Sequence, residues 1–159
     1  MKTLKEFMAK RKYVAIIYDE ETQRKLREWA TRNGFDLTVN YNGDEQKPED
    51  FDFHTTIFYT TNEVNLRNKD MKIDPSDVTI EGIKFLGDNE DIPVLKLSYV
   101  GELRNIRKNY EDLGLKDQWS SYQPHISLSY AKEKSDVSDM ELPDFKPKFN
   151  KMVIKDIED

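Results

Sequence analysis

The chain has 2 histidines, His54 and His125, and each has a hydroxyl residue two positions on: Thr56 after the first and Ser127 after the second. Ser and Thr make up about a tenth of the chain, so two such pairs from two histidines are roughly a one-in-a-hundred coincidence. Both motifs open β-rich runs, Phe53 to Tyr59 and His125 to Tyr130. In a strand, residues i and i+2 project from one face. His54 and Thr56 then point one way, with Phe58 on their side if the strand stays regular. His125, Ser127 and Ser129 share a face in the second motif, and Ile126, Leu128 and Tyr130 form an apolar back.

Such a group suits phosphodiester chemistry. A neutral imidazole takes the proton from an attacking hydroxyl or water, while an imidazolium protonates the leaving oxygen. Histidine fits both roles because its unperturbed pKa is about 6.5. The hydroxyls hold the nonbridging phosphate oxygens and offset the charge that develops there. The scheme calls for no metal and no cofactor.

The elements that must position these groups are legible as a repeat. Residues 13–18 read as a strand, and Asp19 caps a helix that buries Leu26, Trp29 and Ala30 and stops at Gly34. Residues 40–52 are a turn-rich acidic loop, and strands at 53–59 and 78–86 follow. Strand 94–100 then leads to a helix carrying Leu103, Ile106, Tyr110 and Leu113 on one side, with Gly114 at its end. Loop 115–124, strand 125–130, loop 132–148 and strand 149–157 complete the chain. The order strand, helix, strand, strand therefore occurs twice, at about 13–86 and 94–157. The expected fold is α+β, a single domain over 1–159 with two pseudo-symmetric lobes of antiparallel-rich sheet around a central cleft.

Composition narrows the setting. At 159 residues the chain has one domain's worth of core, and 35% of it is charged, with a net charge of −6. Leu, Ile, Val and Phe make about a quarter of it, enough for a folded core. The acidic balance argues against a partner that is long nucleic acid. A small nucleotide remains open, since a local cleft can gather cations on an acidic body. The longest aliphatic run is only Val14 to Ile17, so no membrane span and no signal peptide are expected. With 0 cysteines there is neither a disulfide framework nor a thiol nucleophile, and a cytoplasmic setting fits. No phosphate-loop, dinucleotide-binding or serine-hydrolase motif is present. No helical His spacing supports a zinc site.

The segments Phe53-His54-Thr55-Thr56-Ile57 and Tyr122-Gln123-Pro124-His125-Ile126-Ser127-Leu128 resemble the two His-x-Thr/Ser signatures of the 2H phosphoesterase superfamily, which includes the LigT-like RNA 2′,3′-cyclic phosphodiesterases. The resemblance spans nearly the whole chain. It implies the bilobal fold, His54 and His125 as the acid/base pair, and Thr56 and Ser127 as phosphate contacts. In chain size, acidity and the 71-residue spacing, the protein is similar to the small phage enzymes that degrade cyclic oligonucleotides of the CBASS antiviral system. That branch implies cyclic di- or trinucleotide substrates and action in the host cytoplasm; a monomer or weak homodimer is expected. The alternatives are a LigT-type RNA 2′,3′-cyclic phosphodiesterase and a protein that sequesters cyclic nucleotides without turnover.

Other residues carry open readings. Trp119 and Tyr122, in the loop before His125, either stack a nucleobase or pack on the core. Tyr18 and Tyr99, near the ends of matching strands, either line the cleft or pack in the core or at the rim. Residues 132–147 are either a lid or a solvated connector, and the basic arm 1–12 either touches phosphate or is a solvated terminus.

Overall fold

The structure, a computed structural model, describes residues 10–64, 78–99, 101–119 and 121–157. Most of the basic N-terminal arm lies outside them. The described residues contain β1 (Lys12–Tyr18), α1 (Glu20–Arg32), a 3-10 turn at Pro48–Asp50, β2 (His54–Tyr59), β3 (Ile80–Leu86), β4 (Ile92–Leu97), α2 (Gly101–Asp112), β5 (His125–Ser127) and β6 (Phe149–Asp156). The fold is α+β. Two antiparallel three-stranded sheets have the orders β2-β1-β6 and β3-β4-β5. Among these residues no helix is long and apolar enough to cross a membrane.

The sheets do not coincide with the two halves of the sequence. The third strand of each half is exchanged: β3 joins β4, and β6 joins β1. Chain connectivity explains this. Only residues 87–91 separate β3 from β4, with Gly87 and Glu90 at positive φ, so the two strands close as a hairpin pairing Leu86 with Ile92. The long stretch 128–148 leaves β6 free to return beside β1, from Lys12↔Asp156 to Tyr18↔Phe149.

Within this exchange the repeat is preserved. The units β1-α1-β2 and β4-α2-β5 end their helices in the same way. Gly34 (φ 84) and Gly114 (φ 97) take the left-handed conformation. The next residue bonds back to the last turn, Phe35 N–H to Ala30 at 2.9 Å and Leu115 N–H to Tyr110 at 3.2 Å. Asp19 caps α1 by accepting from Thr22 N–H at 2.8 Å. Leu26, Trp29 and Ala30 of α1 and Leu103, Ile106 and Tyr110 of α2 enter one contiguous buried cluster with residues of both sheets. Leu113, expected on that helix face, is exposed because α2 ends at Asp112 and the chain has already turned.

Two local departures matter for the site. The first is a β-bulge in β2. Thr56 pairs with Ala15 and Phe58 with Val14, so Ile57 is the extra residue. The bulge reverses the strand's parity, and Phe58 turns into the core instead of flooring the face of His54 and Thr56. The second is the early end of β5 at Ser127. Ser129 leaves the motif face, is buried, and donates to the Asp36 carbonyl at 2.7 Å.

Residues 132–148 form a belt along α1. Trp29 Nε1 donates to the Glu141 carbonyl at 3.1 Å, Lys148 N–H to Thr22 Oγ1 at 3.0 Å, and Lys25 lies over the Phe145 ring.

The bulge is held by a buried cation. Arg107 of α2 donates to the Ile57 carbonyl and, at 2.7 Å, to Asp117, whose carboxylate is also buried. Its guanidinium is sandwiched between the Phe58 and Tyr122 rings, at 4.2 and 4.0 Å from their centroids. Removing it strands a buried carboxylate. We predict that Arg107→Met lowers unfolding free energy by about 3–5 kcal/mol, measured by urea denaturation. A loss below about 1 kcal/mol, the size typical of an exposed pair, would contradict this role.

Candidate active site

β2 and β5 are each the edge strand of their own sheet, and the two edges face one another. Two side-chain bonds cross between them. Thr55 Oγ1 donates to the His125 carbonyl at 3.0 Å. In the other direction, the Tyr122 hydroxyl donates to the Thr56 carbonyl at 2.7 Å. The seam thus ties the backbone of each motif to a side chain of the opposite half. Tyr18 extends it from below, with its hydroxyl 2.5 Å from Thr55 Oγ1.

The two histidines are held alike. The Nδ1 of His54 is 3.2 Å from the Asp52 carbonyl, and that of His125 is 2.8 Å from the Gln123 carbonyl. A carbonyl only accepts, so in both rings Nδ1 carries the proton. The neutral form of each ring therefore presents its lone pair at Nε2. A side chain that the sequence reading did not single out fixes the approach to His54. The Gln23 amide of α1 donates to the Phe53 carbonyl at 2.7 Å and accepts from Phe53 N–H at 2.8 Å. Glutamine in a helix carries no spacing signal that marks it for this task.

Register places the hydroxyls on the same faces. Ile17 is the cross-strand partner of His54 and Ala15 that of Thr56; Lys96 is the partner of His125 and Val94 that of Ser127. Directly paired residues share a face. A tyrosine hydroxyl attends the first motif hydroxyl: Tyr13 lies 3.1 Å from Thr56 Oγ1. Burial pushes Tyr13 up to about 12 and raises Tyr130, so both stay protonated at neutral pH. Neither was among the sequence candidates. Tyr13 opens β1 and Tyr130 was expected on the apolar back, before the early end of β5 re-aimed it.

Among the other candidates, Tyr18 is buried, edge-on to Phe149, and does not line the cleft. Tyr122 is pinned between Arg107 and Tyr99 with its hydroxyl committed, so it is a pillar of the seam and not an open stacking ring. Trp119 stands 43% exposed, next to Gln118, whose N–H bonds the Tyr59 carbonyl.

Lysines stand on the motif faces although the chain is acidic. The faces bearing the motifs also carry Lys151, opposite Ile17, and Lys84, opposite Val94. Burial lowers the pKa of His54, partly opposed by the Asp52 carbonyl and charge, with Lys155 adding to the lowering. Burial likewise lowers His125, opposed by the Gln123 carbonyl, and the charges of His54 and Lys84 lower it further. The rings are near enough to feel each other's charge. Among the described residues no group of three or more His, Asp or Glu side chains gathers as a metal site. A shallow depression by Trp29, Arg32 and Glu141 lies at the end of α1 and contains no motif residue.

Two predictions follow from this geometry. In Thr55→Val the buried Tyr18 hydroxyl loses its partner, and stability falls by about 1–3 kcal/mol. Adding Tyr18→Phe recovers part of the loss, and failure of any recovery in denaturant melts would remove the hydroxyl chain from the account. The histidines make stability depend on pH. Their folded pKa values lie below the unfolded value of about 6.5, so the unfolded chain binds more protons in between. That contribution is full above pH 6.5 and is lost as pH falls through the folded values. The variant His54→Gln/His125→Gln should show a flatter acid-side stability profile, and an unchanged slope would place the acid sensitivity elsewhere.

A family model described as the anti-CBASS protein Acb1 matches residues 10–159. No curated protein matches the chain. With the match covering nearly its whole length, the chain belongs to the Acb1 anti-CBASS family.

Proposed function

We propose that this member of the Acb1 anti-CBASS family is a phosphodiesterase that cleaves cyclic di- or trinucleotide messengers by two-histidine acid/base catalysis, a counter-defence activity of phage. The observation that carries the reading is the matched pair of Nδ1-anchored imidazoles on facing edge strands. Each stands on the strand face that also carries its motif hydroxyl, Thr56 or Ser127.

In the proposed reaction a neutral histidine accepts, at Nε2, the proton of the attacking oxygen, a ribose 2′-hydroxyl or water. That oxygen bonds to phosphorus as the bond from phosphorus to the leaving oxygen breaks. The other histidine, entering as imidazolium, delivers its Nε2 proton to the leaving oxygen. Thr56 and Ser127 donate to the nonbridging oxygens, where charge accumulates. The two rings share their first proton as a pair, since the charge of one opposes a second proton on the other.

The deciding assay is turnover of EDTA-treated protein, read by chromatography, on cyclic di- and trinucleotides beside 2′,3′-cyclic mononucleotides and a 2′,3′-cyclic-phosphate RNA end. Cleavage of the cyclic oligonucleotides is expected, with kcat reduced about 10²–10⁴-fold in His54→Ala and in His125→Ala. Cleavage confined to 2′,3′-cyclic ends would replace this reading with the RNA-processing one. Tight binding without turnover would replace it with sequestration. With both pKa values lowered, kcat/KM should be bell-shaped with its maximum on the acid side of about 6.5. Above the bell the acid has lost its proton, and below it the base has gained one. A maximum above pH 8 would count against the pair.

A further inference from the structure

We propose that Gln23 is a positioning residue of this reaction: it fixes the peptide plane on which the His54 ring is anchored, and so holds that ring in the tautomer that leaves Nε2 free. The inference rests on the phosphodiesterase reading. It adds a residue of α1, outside both motifs, through which one histidine is set and the other is not.

The carbonyl beside His54 Nδ1 belongs to the peptide unit between Asp52 and Phe53. That unit is planar and trans, so its C=O and its N–H point in opposite directions. Gln23 Oε1 accepts from the N–H at 2.8 Å, and the carbonyl at the other end of the plane is thereby aimed at the imidazole. Gln23 Nε2 donates at 2.7 Å to the carbonyl of the next unit, the one that leads into His54. One side chain therefore sets both planes that flank Phe53. The ladder between β1 and β2 does not reach them, because its pairing ends here at Ile17↔His54. Phe53 is fully buried, so water cannot replace either bond.

The amide is itself held in place. Gln23 lies in the first turn of α1, and its own N–H closes the first helical bond, to the Asp19 carbonyl at 2.9 Å. Asp19 N–H in turn donates to the Lys148 carbonyl at 2.9 Å. One turn further along α1, Arg27 donates to the Pro48 and Glu49 carbonyls at 3.0 and 3.2 Å, so the segment before Phe53 hangs from the same helix. His125 has an equivalent anchor built differently. Its Nδ1 meets the carbonyl of the unit between Gln123 and Pro124, which has no N–H, and the prolyl ring fixes φ. The Pro124 carbonyl accepts from Leu97 N–H at 3.0 Å, backbone to backbone. The chain itself sets the second anchor, whereas a removable side chain sets the first. Which ring nitrogen carries the proton depends on the bond the other makes. A ring that loses its Nδ1 acceptor reverts toward the Nε2–H form and presents its lone pair at Nδ1 instead.

The test reads tautomer and turnover side by side. With 2 histidines in the chain, long-range proton–nitrogen NMR resolves each ring, and His125→Gln assigns the signals. At about pH 8, where both rings are neutral, the intact chain should give the Nδ1–H pattern twice. In Gln23→Met the His54 signals should move toward the Nε2–H pattern while those of His125 stay. On cyclic di-AMP, kcat should fall about 10- to 100-fold with KM changed less than about 2-fold, the signature of a misplaced group that binds nothing itself. Gln23→Glu keeps the acceptor that aims the Asp52 carbonyl, so it should fall between the intact chain and Gln23→Met in both readouts, and it decides the matter if Gln23→Met does not fold. An unchanged His54 pattern overturns the proposal, and so does an equal change at both histidines, which marks general loosening. A shifted tautomer with kcat intact overturns it too. The tautomer measurement needs no turnover, so it fails on its own and leaves the phosphodiesterase reading standing. If the intact chain cleaves no nucleotide, that reading fails first and the role of Gln23 in the reaction fails with it.

Discussion

The facing edges of β2 and β5 are the constraint on which the rest of the molecule depends. An edge strand presents unpaired backbone groups, and two edges brought together need those groups satisfied. Here side chains bridge them: Thr55 reaches the His125 carbonyl and Tyr122 reaches the Thr56 carbonyl. Because each bridge lands on the backbone of a motif residue, the bonds that close the two halves also set the relative positions of the histidines and hydroxyls. A change in the seam is a change in the site.

The surrounding structure can be understood as support for that seam. Arg107 and Asp117 form a buried pair, and the guanidinium also neutralises the carbonyl that the bulge at Ile57 turns away from the ladder. A bulge sends Phe58 into the core while leaving His54 and Thr56 on the open face. Tyr122 is packed between Arg107 and Tyr99 so that its hydroxyl can reach across. Gln23 secures the backbone just before His54 from the helix side. Each of these groups acts one residue away from the groups assigned to the chemistry.

The electrostatics follow from the same packing. Desolvation lowers both histidines, and lysines on the flanking strands oppose a further positive charge. A pair of imidazoles so placed is easily left neutral. The chain's net charge is −6, yet Lys151 and Lys84 stand on the two motif faces.

The sequence by itself determined the elements and the candidate groups. The period-two pattern at 53–59, the helix caps at Asp19, Gly34 and Gly114, and the two His-x-hydroxyl pairs are local signals, each set within a few residues by steric and hydrogen-bond rules. Pairing of strands was decided elsewhere. The exchange of β3 and β6 depends on loop lengths and on which edge is free, so a repeat in sequence order did not translate into sheets drawn from each half. The bulge at Ile57 and the early end of β5 are likewise tertiary. Arg107 takes the carbonyl that the bulge frees, and Asp36 takes the hydroxyl of Ser129, partners 50 and 93 residues away. That is why Phe58, expected on the face of His54 and Thr56, stands in the core, and why only the fold decides between cleft and packing for Tyr18 and Tyr122. It is also why Tyr13 carried no signal until β1 and β2 met at Thr56.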